Sequence, residues 1–304
     1  MARAKSQFIC QQCGASYPKW VGKCENCGEW NSLVEQLPVD MGASAVARSS
    51  GKGKALTTLR FSETAAEAKQ ARLATGIADL DAVLGGGFLP GGVVLVAGQP
   101  GIGKSTLLAQ VAAFIARQKQ VLYVSGEESV SQVKLRAERL GAVDSESLQL
   151  ASSNSAEDIA ASIQTGQYNL VIVDSIQTLS LAEISSAPGS VSQITNSSNV
   201  IIRAAKAANT AVILVGHVTK EGSIAGPKVL EHLVDVVLNF EGDRYGGFRV
   251  VRAQKNRYGS TNEAAIFEMH EDGLRIVTNP SASLLAERQN LDGSIVLATM
   301  EGAR

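Results

Sequence analysis

Residues 98–105, Gly-Gln-Pro-Gly-Ile-Gly-Lys-Ser, have the composition and spacing of an anion trap. In the pattern G-x4-G-K-S, glycines let successive backbone N–H groups turn toward one point, and a lysine adds a full positive charge. The chemistry is that of a nucleoside triphosphate such as ATP. Gly98, Gln99, Pro100, Gly101, Ile102, Gly103 and Thr106 form the cradle, Lys104 reaches the β- and γ-phosphates, and the Ser105 hydroxyl ligates Mg²⁺. Two carboxylates complete a hydrolytic set. Asp174 follows an apolar run and suits an acid that acts on Mg²⁺ directly or through water. Glu127 suits a general base that orients and deprotonates the attacking water. Its neighbour Glu128 shares the spot. A helix N-terminus, which favours acids, accounts better for Glu128 than for Glu127, and the order of the two stays open.

The cysteines form a second set. All four, Cys10, Cys13, Cys24 and Cys27, fall in two C-x2-C pairs separated by ten residues. Two residues between thiolates let both point inward from one knuckle, and two knuckles complete a tetrahedron around Zn²⁺. Two disulfides are the rival arrangement, disfavoured in a reducing cytosol, and redox C-x-x-C motifs come singly. A zinc with four protein ligands has no open position, so it folds the knuckle and catalyses nothing. Tyr17, Trp20 and Trp30 lie close by in sequence; in so small a module they are expected to cover the metal site rather than to stack on bases.

A third stretch, "AQKNRYGSTNEA" at 253–264, gathers Lys255, Arg257 and Tyr258 around an Asn and a Gly. By itself it reads as a solvated turn.

The elements that must position these groups follow from apolar patterning. Residues 93–97 form a continuous apolar run of strand length before the glycine loop, and Leu107, Leu108, Val111, Ala112 and Ile115 recur at helical spacing after it. Three further apolar strands, within 120–129, 169–175 and 210–222, alternate with helical stretches and end near Glu127 and Glu128, at Asp174 and at His217. Strands buried on both faces and separated by helices predict a parallel sheet with functional groups at the strand C-termini. Beyond residue 233 short turn-rich links join strands, which predicts antiparallel hairpins, one of them closed by residues 254–259. The fold class is therefore α/β, a mostly parallel sheet flanked by helices and extended by antiparallel strands, with a small N-terminal four-cysteine zinc module.

The expected domains are a zinc finger at 1–37, a Gly/Ser/Ala-rich flexible linker at 38–72 and the ATPase domain at 73–280. The 304 residues carry a net charge of −1, so any nucleic-acid surface must be local. Residues 1–60 hold eight Lys/Arg against four acids, an excess that a tetrathiolate zinc site reduces. No apolar run is long enough to span a bilayer and no secretory h-region opens the chain, which predicts a cytoplasmic protein.

Taken together, the four-cysteine finger, "TGIADLDAVLGGG" ahead of the phosphate loop, and "KNRYG" closely resemble the bacterial RadA (Sms) family of RecA-like ATPases. That family has K-N-R-F-G; Tyr258 keeps the ring. "APGSVSQ" at 187–193 and residues 216–243 are also similar to the family's DNA-associated loops and sensor region. The resemblance covers essentially the whole chain. It implies an ATP-driven helicase that branch-migrates recombination intermediates, single-stranded and branched DNA as partners, a RecA-type recombinase as a protein partner, and a homo-hexameric ring at full length. It implies that residues 281–304 begin a Lon-protease-like C-terminal domain. It also implies that Lys255 and Arg257 are catalytic in trans, reaching the γ-phosphate of a neighbouring subunit. The segments 185–193 and 220–227 are expected to face a central DNA strand, with Lys220 and Lys228 as candidate phosphate contacts. A KaiC-type regulatory ATPase is the first alternative, although it has neither the finger nor K-N-R-aromatic-G. A zinc-bearing DNA-binding protein whose ATPase only switches assembly is the second.

Overall fold

The structure, a computed structural model, describes residues 7–10, 16–26, 28–36, 58, 72–140, 146–217, 229–242 and 247–279. Cys13, Cys27, Lys220, Lys228, the 220–227 segment, nearly all of the 38–72 linker and all of 281–304 lie outside the described residues. The chain divides into two compact units, Met1–Ala71 with Ala182–Ser186, and Arg72–Leu181 with Ala187–Arg304.

The first unit contains an antiparallel sheet of β1 (Gln7–Cys10), β2 (Ser16–Tyr17) and β3 (Leu33–Gln36), ordered β2-β1-β3. Among the described residues its core is Cys10, Cys24 and Leu33, all buried, with Phe8, Tyr17 and Val21 packed against them.

The second unit is a nine-stranded sheet, beginning with α1 (Ala78–Leu84), β4 (Val93–Gly98), α2 (Lys104–Ile115), β5 (Val121–Ser125), α3 (Val130–Arg139) and β6 (Leu148–Ser152). There follow α4 (Ala156–Gln164), β7 (Leu170–Asp174), α5 (Val191–Ala208), β8 (Ala211–His217), α6 (Val229–Leu233), and β9 (Val236–Gly242) to β12 (Gly273–Ile276) by way of β10 (Phe248–Asn256) and β11 (Ala264–His270). The strand order is β12-β11-β10-β9-β4-β8-β7-β5-β6. From β6 to β9 neighbouring strands run parallel, and from β9 to β12 they run antiparallel. Central strands β4, β7 and β5 are buried at every position, as the unbroken apolar runs require. Leu107, Leu108, Val111, Ala112 and Ile115 bury one face of α2 against the sheet at roughly 1.5–3 kcal/mol for each large side chain.

Three details depart from the sequence reading. A fifth helix-linked strand, β6, lies at the sheet edge; its half-exposed "LQLAS" has no continuous apolar run to betray it. β9, expected in an antiparallel hairpin, also pairs parallel with β4, Val94 opposite Val236. The short helix α6 supplies its crossover. And Val191, Ser192 and Gln193 belong to the first turn of α5, capped by the Ser190 hydroxyl, rather than to a loop. Gln193 is buried and its amide bonds both backbone groups of Leu181, a packing role. Among the described residues no helix is long and apolar enough to cross a membrane.

Candidate active site

Register brings the chemistry to one edge of the sheet. Gly98 lies opposite His217, and Asp174 opposite both Val215 and Ser125, so β4, β8, β7 and β5 end together. A cleft of about 350 Å³ opens there, lined by the phosphate loop, Ser125, Glu127, Glu128, Arg136, Asp174, His217 and Met269. The loop's geometry needs its glycines. A Cβ on Gly98 would sit 2.5 Å from the Phe240 carbonyl oxygen, and Gly103, at φ +113, starts α2.

Lys104 is buried, and its Nζ donates to the carbonyls of Gly98 and Gln99, both at 2.9 Å, with His217 Nδ1 at 3.3 Å. Desolvation pushes its pKa below the ordinary lysine value against the opposing pull of Asp174 and Glu127. An ammonium held by neutral groups is well set to exchange them for phosphate oxygens. Asp174 is nearly buried, and its Oδ2 accepts from the Tyr123 hydroxyl at 2.6 Å. Burial first, then the Asp174 charge, raise the Tyr123 pKa well above ordinary, so the phenol stays a donor. A hydroxyl, a carboxylate and space for water form the hard oxygen set that Mg²⁺ prefers.

The strand before Glu127 ends two residues earlier than expected, at Ser125, whose hydroxyl accepts from the backbone N–H of both Glu127 and Glu128. Glu127 therefore stands in the connection above the strand. Its Oε1 accepts from Ser175 Oγ at 2.5 Å and meets His217 Nε2 at 3.2 Å. Desolvation works to raise its pKa, but Ser175, His217 and the Lys104 charge outweigh it, leaving the carboxyl below the usual glutamate value. Glu128 is occupied elsewhere: Arg136 of α3 grips both its oxygens, at 3.0 and 2.6 Å. Sequence reading named His217 only as a strand end and passed over Ser175, Tyr123 and Arg136. Ser175 follows Asp174 directly and the Tyr123 hydroxyl interrupts an apolar run, so both left a faint trace.

Lys255, Arg257 and Tyr258 are not in this cleft. Asn256 pairs with Val236, which lies beside Val94, so these residues sit at the opposite end of the sheet. A bulge between Ala253 and Lys255 shifts the register. Lys255 Nζ donates to the carbonyls of Glu231 at 2.7 Å and Val234 at 2.8 Å. Arg257 Nη1 pairs at 3.0 Å with Asp235, a buried carboxylate that also accepts from the Val93 N–H. Burial and the Asp235 charge push the Tyr258 pKa up to about 12. The Lys255 pKa falls, through desolvation and then Arg257.

In the first unit, Cys10 and Cys24 are brought into one buried cluster, with the Tyr17 hydroxyl 3.3 Å from Cys24 Sγ. Two sulfurs inside a dry cluster suit a soft-ligand zinc site. Tyr17 packs against this cluster, whereas Trp20 and Trp30 are 53% and 66% exposed and are not among the described residues packed on it.

Comparison with known proteins agrees with both units. Residues 57–223 match a family described as an AAA domain, and residues 8–35 one described as a rubredoxin metal binding domain. The RadB recombinase structure, 26% identical, superposes with a TM-score of 0.52 over 67% of this chain and 99% of its own. Fold and site define a RecA-like phosphate-loop ATPase with an N-terminal zinc ribbon, using ATP, Mg²⁺ and Zn²⁺. Over its whole length the chain is 48% identical to the DNA repair protein RadA of Bacillus subtilis and 48% to that of Brucella abortus; the Pseudomonas aeruginosa protein is 46% identical. The chain belongs to the RadA family of recombination and DNA repair ATPases. It spans about two thirds of the length of these curated relatives.

Proposed function

We propose that the chain is the ATPase part of a cytoplasmic DNA motor that branch-migrates recombination intermediates as a ring, with single-stranded and branched DNA as substrates and a RecA-type recombinase as partner. ATP supplies the phosphoryl group and Mg²⁺ neutralises its charge; the protein positions both. Lys104 leaves the carbonyls of Gly98 and Gln99 for the β- and γ-phosphates, and the loop N–H groups together with the start of α2 hold the remaining oxygens. Ser105 and Asp174 would hold the metal, the latter fixed in orientation by the Tyr123 hydroxyl that donates to it. Glu127, kept ionised by Ser175 and His217, takes the proton of the attacking water.

The ring is supported by one observation above all: the two cations of "KNRYG" lie at the far end of the sheet from their own phosphate loop. β4 separates the two edges by six residues, on the order of 17 Å at the usual strand rise, beyond the reach of an arginine. Cations meant for a γ-phosphate from that position must serve another subunit's. In this motor the zinc finger spans 1–37, the linker 38–72 and the ATPase domain 73–280, with a further domain beginning at 281–304. Its test is the rate of ATP hydrolysis with and without single-stranded DNA, joined to displacement of a labelled strand and mass in solution. A motor is stimulated by DNA, displaces the strand and assembles; stimulation without displacement would reduce the reading to an assembly switch.

A further inference from the structure

Among the described residues, the ribbon's two tryptophans are not part of its core. Phe8, Tyr17, Val21 and Leu33 surround the buried cysteines, whereas Trp20 and Trp30 stand 53% and 66% exposed. They are also gathered at one spot. A Cβ placed on Gly22 would lie 3.6 Å from Trp20 Cη2 and 3.9 Å from Trp30 Cζ3, so both indoles rest against the same glycine. The spot is built stiffly. Lys23 and Trp30 face each other across an antiparallel bridge, Asn31 N–H donates to the Gly22 carbonyl at 2.9 Å, and Cys24 N–H donates to the Glu29 carbonyl at 2.8 Å. The knuckle that holds Cys24 therefore also holds the rings. Lys23 Nζ lies 5.6 Å from the Trp30 ring centroid, and Lys19 immediately precedes Trp20.

We propose that Trp20 and Trp30, with Lys19 and Lys23, form a stacking platform for the bases of single-stranded DNA. Large exposed rings fixed beside ammonium groups offer π-faces to bases and cations to phosphates, the combination that binds single strands without reading sequence. A duplex hides its bases in the stack and has no face to give. Glu25 and Glu29 belong to the same knuckle, so charge adds little net attraction and stacking carries the affinity. The salt dependence of binding at the ribbon is then shallow, that of one or two phosphates. The platform rests on the DNA-directed function proposed above and adds where the strand first touches the chain. A protein partner, for which exposed tryptophans also serve as anchors, is the competing occupant.

The chain carries a built-in reporter, because Trp20 and Trp30 are its only two tryptophans. Zinc-loaded whole chain titrated with short oligo(dT) is expected to lose tryptophan emission, while an abasic oligonucleotide of equal length, which keeps the phosphates, quenches little. Trp20→Ala and Trp30→Ala each weaken oligo(dT) binding, read by anisotropy of a labelled strand, on the order of tenfold. Trp→Phe variants keep most of the affinity, which separates stacking from a folding defect. Emission unchanged by oligo(dT), equal quenching by the abasic strand, or unaltered affinity in both alanine variants overturns the platform and leaves the protein-docking face. The outcome is independent of the motor: DNA-stimulated hydrolysis with silent tryptophans removes the platform only, and quenching without stimulation removes the motor only.

Discussion

Glu128 is ion-paired with Arg136, whose Nη1 donates to its Oε1 at 3.0 Å and whose Nη2 lies 2.6 Å from its Oε2. A carboxylate so held is a poorer proton acceptor than one without a cation at its oxygens. Glu127 faces the cleft that holds Lys104. Glu127→Gln is accordingly expected to leave ATP binding intact and slow turnover by about 10²-fold or more, whereas Glu128→Gln slows it far less. Normal hydrolysis in Glu127→Gln would reverse the assignment. Lys104→Ala should reduce hydrolysis to background, since among the described residues no other ammonium lines the cleft. The pH dependence has a definite sign. Desolvation alone would raise the Glu127 pKa; its partners, the Ser175 hydroxyl first among them, more than offset this and lower it. The base therefore remains ionised as pH falls through the ordinary glutamate range, and the acid limb of kcat lies below that range. Removing the Ser175 donor with Ser175→Ala should move the limb toward higher pH. A limb that stays in place while kcat changes would mean that Glu127 is not the titrating base.

Between strands, the groups that matter are those that tie one element to the next. Asp235 joins the start of β9 to β4 through the Val93 N–H and to the turn after β10 through Arg257. Asp235→Ala removes both, leaves Val93 N–H unpaired in the core, and is expected to cost about 2–3 kcal/mol, read as a lower urea midpoint. Asp235→Asn keeps an acceptor for Val93 and should cost about 1 kcal/mol. In the ribbon, if Cys24 is a zinc ligand, Cys24→Ala should take one Zn²⁺ per chain to none in elemental analysis while nucleotide affinity is unchanged. These ties also mark what a sequence does and does not display. The phosphate loop was legible because its chemistry is contiguous: strand, glycines, lysine and helix follow one another within 98–105 and its flanks. The parallel core was legible because strands buried on both faces need unbroken apolar runs. His217 and Ser175 converge on Glu127 from separations of 90 and 48 residues, and no local pattern encodes that meeting. The β10 bulge, which sets where Lys255 points, adds one residue to an alternation that still reads as a strand. Asp235, one acid within an apolar stretch, is a buried anchor in the fold, which its sequence neighbours do not announce.

The proposed assembly turns on Arg257. In the single chain it is about half exposed and paired with Asp235, at the end of the sheet away from the phosphate loop. Such a guanidinium is partly tethered and partly available, and a neighbouring subunit's triphosphate offers it more charge than one carboxylate does. If it serves in trans, Arg257→Ala keeps nucleotide affinity, because every phosphate loop is whole, and loses DNA-stimulated hydrolysis by about 10³-fold, the scale of an arginine finger. A mixture makes the claim specific to interfaces. Arg257→Ala subunits carry intact loops without fingers, and Lys104→Ala subunits carry intact fingers without working loops. Rings assembled from both contain some interfaces with one of each, so the mixture should hydrolyse ATP although neither parent does. The recovery should vary with the ratio of the two and vanish on dilution below the assembly threshold. Absence of recovery in demonstrably mixed rings, or a monomer that turns over at the full DNA-stimulated rate, would remove the trans role. Loss of DNA binding with hydrolysis intact in Arg257→Ala would make the same turn a DNA contact instead. Because Asp235 holds the guanidinium in the free subunit, Asp235→Asn sharpens the distinction. In Lys104→Ala/Asp235→Asn the loop is disabled while the guanidinium is untethered and still cationic, so mixed with Arg257→Ala it should restore hydrolysis, whereas Lys104→Ala/Arg257→Ala mixed the same way should not.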